Sequence, residues 1–167
     1  MNINPKGFFA KKLLARIQKY DKDKYWKMRS EVVNPNSKTP KWLRFIYLYK
    51  IKKSDAFNNA SMGTDMGSGA HFAETPILVH GLNGIIVSHS AKIGKKVIIC
   101  QQVTVAQGPP GFPSIGNNCL IGAGAKILGH VTIGDNVKIG ANAVVSQDIP
   151  PNTTAVGVPA KIVSRSE

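Results

Sequence analysis

The chain has 167 residues, with 22 Lys+Arg against 9 Asp+Glu and only two cysteines. That length suits one compact domain plus an appendage, and two cysteines exclude a disulfide framework. No apolar run approaches the ~18 residues of a membrane span, and charges cut through the apolar residues of MNINPKGFFAKKLLARIQKY, so neither a spanning helix nor a secretory signal is expected and the cytoplasm is the expected compartment.

The charge is unevenly placed. Residues 1–53 hold 15 Lys+Arg and 3 Asp+Glu, a balance of +12, whereas residues 54–167 hold 7 and 6, a balance of +1. Two readings stay open for this front segment. It is either a surface for an anionic partner or a solvated helical cap with no specific role for its charge. Aromatic residues among the charges (Phe8, Phe9, Tyr25, Trp26, Trp42, Phe45, Tyr47 and Tyr49) suit an interfacial role at the inner membrane face better than a disordered nucleic-acid tail. Nucleic acid is therefore not the expected partner.

Taken in order, residues from about Gly7 to Tyr20 set Phe8, Leu13, Leu14 and Ile17 against Lys11, Lys12, Arg16 and Lys19, which predicts a short amphipathic helix. The run from Asn34 to Pro40 is a polar break. Lys41 to Lys52 reads as a second helix whose stripe of Trp42, Phe45, Ile46 and Tyr49 is expected to pack against the near end of the next domain. Asp55 to His80 is Gly-rich and irregular, as suits an imperfect first unit of a repeat array. The expected divisions are a basic helical segment over 1–55, a repeat domain over 56–163 and a tail over 164–167.

From Val87 an aliphatic residue returns on a six-residue beat: Val87, Ile93, Ile99 and Val105, then Ile115, Ile121, Ile127, Ile133, Ile139 and Val145. Four residues after most of them stands a small or β-branched residue, among them Ala91, Val97, Cys119, Ala125 and Val137. Six matches neither the 3.6-residue helical turn nor plain strand alternation. It predicts a parallel β-helix, with one short strand and one corner per hexad and three hexads to a triangular coil. Between Val105 and Ile115 four extra residues enter, in a stretch holding Pro109, Pro110 and Pro113 that must leave the coil as a loop. Inserts in repeat arrays gather on one face, often the binding face. After Ile149 the run Pro150-Pro151-Asn152-Thr153 turns the chain, and Thr154 to Val163 is expected to close the far end.

The stretches HGLNGIIVSHSAKIG and IGAGAKILGHVTIGDNVKIGANAVVSQDIPPNTTAVGVPAKIV resemble the hexapeptide-repeat acyltransferases over roughly 100 residues. The nearest branch looks like the serine acetyltransferases and the related O-acetyltransferases of surface glycans. The resemblance implies a mainly β fold built on a left-handed parallel β-helix, a homotrimer, and acetyl-CoA as donor. The general rule for parallel crossovers points to the other hand, so handedness comes from the resemblance alone.

Acetyl transfer to a hydroxyl needs a base with a pKa near neutrality, which suits an imidazole. By the resemblance His80, in Leu78-Val79-His80-Gly81-Leu82-Asn83-Gly84, is the catalytic histidine, and Asp65, fifteen residues earlier, is its orienting carboxylate. Asp65 equally suits a plain turn-former. His89 and His130 read as corner residues, His71 is unassigned, and no pair has metal-ligand spacing with supporting ligands, so no metal is expected. The resemblance places the pantetheine arm along Ala123, Ala141 and Ser146, and Lys161 near the nucleotide phosphates. Asn83 and Phe112 are the candidate acceptor contacts.

Serine acetyltransferases carry a long acidic helical domain, and their extended loop has an Arg-His pair before the proline that opens the next coil. Here the front segment is short and basic, and the loop reads Gly111-Phe112-Pro113. With no loop charge to hold a carboxylate, Phe112 is expected to stack on a sugar ring. The leading expectation is therefore an acetyl-CoA-dependent O-acetyltransferase acting on a sugar hydroxyl in surface-polysaccharide or glycolipid assembly. The alternative is serine O-acetylation for cysteine synthesis.

Overall fold

A computed structural model describes residues 8–163, with side chains from residue 12 onward, so the expected contacts of Phe8 and Lys11 and the tail 164–167 lie outside it. Three helices come first: α1 (Phe8–Ile17), α2 (Lys22–Val33) and α3 (Lys41–Phe57). Helix α2 escapes sequence periodicity because lysines and acids crowd its apolar residues. It is started by Asp21, whose carboxylate accepts from the Lys24 N–H at 3.2 Å. Its inward residues Tyr25, Trp26, Arg29 and Val32 are buried. Tyr25 and Trp26 are thus core residues and not interfacial ones. Edge-to-face contacts link Tyr20 to Tyr25 and Trp26 to Phe72, with ring centroids 5.3 and 4.9 Å apart.

Two buried charged residues tie these helices to the rest. Arg29 donates from Nε to Thr64 Oγ1 and from Nη2 to the carbonyls of Met62 and Ala70, at 3.1, 2.9 and 2.7 Å. Burial lowers its pKa to about 10. Asp55 accepts from the Tyr25 hydroxyl at 2.7 Å, and burial pushes its carboxyl up to about 6.

Three parallel sheets then wrap one apolar interior. The first contains β1 (Ser61–Met62), β6 (Ile86–Val87), β9 (Thr104–Ala106), β12 (Lys126–Leu128) and β15 (Val144–Val145). The second contains β4 (His71–Phe72), β7 (Lys92–Ile93), β10 (Ser114–Ile115) and β13 (Thr132–Ile133). In the third, β5 (Ile77–Leu78), β8 (Ile98–Ile99), β11 (Leu120–Ile121), β14 (Lys138–Ile139) and β16 (Thr154–Val156) stack, and β17 (Lys161–Val163) folds back antiparallel on β16 to close the end. The register puts the beat residues in columns, such as Ile99–Ile121–Ile139 in the third sheet. All ten beat residues, Val87 through Val145, are at most 2% exposed. At roughly 25 cal/mol per Å² of apolar surface removed from water, these columns are the main cohesive force of the prism.

The corners define three long edges. Where the chain passes from the second sheet to the third, Lys96, Asn118, Asn136 and Asn152 all have φ between 54° and 61°. Asparagine tolerates this left-handed conformation better than most residues, which explains its recurrence. Side chains ladder along this edge: Asn117 Oδ1 accepts from the Lys95 N–H at 2.8 Å, and Asp135 Oδ1 accepts from the Asn117 N–H at 2.6 Å. We call it the ladder edge. The passage from third to first sheet repeats the left-handed corner at Gly84, Gln102, Gly124 and Asn142, and carries His80. The passage from first to second sheet has no such regular repeat, and the chain departs from register there. The antiparallel hairpin of β2 (Thr64–Asp65) and β3 (Ser68–Gly69) leaves on this edge, as does the insert after β9, pinched by paired Gly108 and Gly111. We call these two the histidine edge and the insert edge.

The stripe of α3 is the main departure from expectation. Trp42, Phe45, Ile46 and Tyr49 are 65, 60, 40 and 65% exposed, whereas Arg44, Ile51, Ser54 and Asp55 face inward. Packing selected the face with hydrogen-bonding partners: Arg44 Nη2 donates to the carbonyls of Val32 and Asn34 at 2.6 and 2.9 Å. Helix α3 also runs to Phe57.

Candidate functional site

The residues singled out from the sequence sort onto two edges. His80, Asn83, Ala123 and Ala141 lie on the histidine edge, where the Asn142 N–H bonds to the Ala123 carbonyl one coil below at 2.8 Å. Leu78 and Val87 are nine residues apart, against six between Ile99 and Val105, so the His80 turn holds three extra residues. The enlarged turn puts His80 and Asn83 in solvent, with Leu82 folded inward as its plug at 0% exposure. His80 makes no side-chain hydrogen bond among the described residues, which leaves both ring nitrogens available.

Asp65, Phe112 and Ser146 lie on the insert edge. Asp65 does not meet His80 within the chain. Its Oδ2 sits 3.2 Å from His89 Nε2, and its Oδ1 sits 3.8 Å from Lys52 Nζ. Ser68 Oγ lies 3.2 Å from the same His89 nitrogen. The fifteen-residue spacing misleads for a geometric reason. The β2–β3 hairpin carries Asp65 out at one edge, and the chain then follows two sheets before it reaches His80. His89, read from sequence as an ordinary corner residue, is the group that Asp65 finds. The only sequence clue is the glycine before the hairpin: a Cβ at Gly63 would lie 3.0 Å from the Cα of His89, so the hairpin must pass against that corner.

A cleft of about 590 Å³ opens beside this pair, between α2 and the first two coils. Its lining includes Arg29, His71, His89 and Lys92 together with the hydroxyls of Ser68 and Ser90, and no acidic side chain. His71, Lys92 and Ser114 form one outward column of the second sheet, directly after the insert edge. Phe112 is 43% exposed in the insert, whose Gly111 packs on the His130 ring so closely that a Cβ would come within 3.0 Å of it. Lys161 stands apart from both groups, exposed on β17. Among the described residues no three His, Cys, Asp or Glu side chains converge as a metal site would require.

The two edges are separated by the width of the first sheet. From Gly84 to His89 the chain spans five residues, roughly 16 Å at strand rise. A site that used residues of both edges would be completed between two copies of the chain.

The fold and these motifs match known proteins. The family model described as bacterial transferase hexapeptide (six repeats) matches residues 112–147. A serine acetyltransferase of Helicobacter pylori is 40% identical over 108 residues, which cover 62% of this chain and 62% of that protein. The structure of soybean serine acetyltransferase apoenzyme superposes with a TM-score of 0.62 at 35% identity, covering 72% of this chain and 49% of that one. A serine acetyltransferase in complex with CoA superposes with a TM-score of 0.61 at 28% identity, over 93% of this chain and 56% of that one. The chain thus spans less than two thirds of the length of these relatives.

Residues 112–147 carry the hexapeptide transferase repeat, and the three-sheet coil is the fold of the solved serine acetyltransferases it superposes on. Across about 108 residues its sequence is similar to serine acetyltransferases.

These relatives overturn the expectation of a sugar acceptor. Curated relatives at 35–40% identity are serine acetyltransferases, and polysaccharide O-acetylation finds no support among them. An uncharged loop does not exclude a carboxylate acceptor, because the cation that holds it does not have to sit on the loop. Four cationic or ionisable side chains line the cleft on the same edge.

Proposed function

We propose that the protein is a serine O-acetyltransferase that moves the acetyl group of acetyl-CoA to the hydroxyl of L-serine. The observation that carries this reading is the exposure of His80 in an enlarged turn on one edge, with Asn83 on the same edge and Asp65 and Ser146 on the insert edge. In this reading the protein is a cytoplasmic homotrimer, and the histidine edge of one copy meets the insert edge of the next.

His80 accepts the serine hydroxyl proton as that oxygen bonds to the thioester carbonyl carbon. The tetrahedral adduct then collapses, the C–S bond breaks, and the imidazolium returns the proton to the CoA sulfur. Asp65 of the adjoining copy approaches the far ring nitrogen of His80, holding its tautomer and stabilising the imidazolium. Asn83 and Phe112 flank the acceptor, and Lys92, exposed in the cleft, offsets the serine carboxylate, which would be costly to desolvate unpaired. The donor's pantetheine arm runs past Ala123, Ala141 and Ser146, where small side chains let it reach backbone groups, and Lys161 offers a charge to its phosphates.

The purified chain, incubated with acetyl-CoA and L-serine while free thiol is followed, should release CoA only when serine is present. A folded, trimeric preparation that shows no serine-dependent release overturns the assignment.

A further inference from the structure

We propose that the outward face of α3 is a docking surface for a lipid bilayer carrying anionic headgroups. The reason is that this helix is turned against the usual hydrophobic logic. Its inward face carries Arg44, Ser54 and Asp55, each buried, while Trp42, Phe45, Ile46, Tyr49 and Phe57 face solvent at 40–65% exposure. At 3.6 residues per turn these five fall within an arc of about 120°. Among the described residues no apolar side chain buries them, and an aromatic patch of this kind on a folded surface marks an interaction site.

The chemistry of the patch selects the occupant. Trp, Tyr and Phe are the side chains that settle at the boundary between headgroups and acyl chains. Lysines surround them: Lys53 lies over the Tyr49 ring at 6.0 Å, Lys19 lies over the Phe57 ring at 4.3 Å, and Lys41 and Lys50 are exposed on the flanks. The one acidic residue of the helix, Asp55, is turned inward. A cationic rim around an aromatic stripe complements an anionic membrane surface, which attracts each Lys or Arg close by. The same rim opposes pairing with a second copy, because Lys41, Lys50 and Lys53 around one such face would meet their counterparts on the other. Helix α3 would lie in the interface: no helix among the described residues is long and apolar enough to cross a membrane.

The two tryptophans make the proposal measurable. Trp26 is buried, with its indole N–H bonded to the Tyr20 hydroxyl at 2.9 Å, so a change in emission on adding vesicles reports Trp42. The full chain should float with phosphatidylglycerol–phosphatidylcholine vesicles, shift its emission to the blue, and partition at least tenfold less onto pure phosphatidylcholine. A Trp42→Ser, Phe45→Ser double variant, altered only at exposed positions, should lose at least tenfold in partitioning while keeping its thermal midpoint. Its serine-dependent thiol release without vesicles should also stay unchanged, which separates this face from the proposed active site. The proposal is overturned by absence of flotation, by flotation that the double variant retains, or by a vesicle-independent higher oligomer that the double variant abolishes.

Discussion

The ladder edge and the insert edge are built from the same coils, yet their polar side chains have opposite fates. On the ladder edge Asn117, Asp135, Asn136 and Asn152 spend their hydrogen-bonding capacity on the next coil, at 2.6–2.9 Å for the shortest contacts. On the insert edge Asp65 and His89 bond to each other in solvent, 57 and 40% exposed at their side chains, and the cleft beside them is lined by Arg29, Lys92 and two histidines with no acidic side chain. The histidine edge combines both habits, a regular left-handed corner in three coils and an enlarged open turn at His80. The contrast teaches that, in a repeat fold, polar residues that close the ladder hold the stack together. Chemistry becomes available where the beat is broken and the side chains are left without a coil to bond.

The largest test of that contrast is His80→Ala. Loss of a positioned base should lower serine-dependent turnover by about 10²–10⁴-fold, with no change in thermal midpoint because the side chain supports no neighbour. An equal loss of stability would mean that His80 belongs to the ladder habit after all.

The helical cap sharpens the same comparison in buried form. Asp55 has its carboxyl pKa raised to about 6 from an ordinary 3.8, so the folded state holds its proton more tightly than the unfolded chain does. Stability from this group is fully present below about pH 4 and is lost as the pH rises to about 6, by roughly 3 kcal/mol. Urea titrations at pH 4 and 6.5 should show that fall, and Asp55→Asn should flatten it.

Mixing inactive subunits probes whether the two chemical edges serve one site. Unfolding and reassembling His80→Ala with Asp65→Asn subunits should restore about a quarter of wild-type turnover. That is the statistical share of sites that draw each intact residue from a different copy. If neither residue crosses a subunit boundary, the mixture stays inactive. The smallest effect is expected from Asn117→Ala on the ladder edge, which should cost about 1 kcal/mol in a denaturant melt and leave kcat and KM for serine unchanged.

Much of the fold is legible in the chain alone. The six-residue beat identifies every interior column from Val87 to Val145, because burial in a narrow triangular coil admits only apolar residues at that period. The insert after Val105 and the break at His80 are visible as lapses of the same beat. Helix α2 is not legible, since its lysines mask the Tyr25, Arg29 and Val32 face. The α3 stripe is visible but points to the wrong side, because amphipathicity gives the apolar face without saying whether protein or something else will cover it.

Periodicity along the chain is enough to define the coil, its interior and the chemical types available at its corners. Which corners share an edge depends on packing in three dimensions. That packing placed Asp65 against His89 and away from His80, and it turned Arg29 and Asp55 inward while leaving Trp42 outside. Those outcomes depend on how the hairpin and the cap pack on the first coil, and contacts between segments distant in sequence leave no local pattern to read.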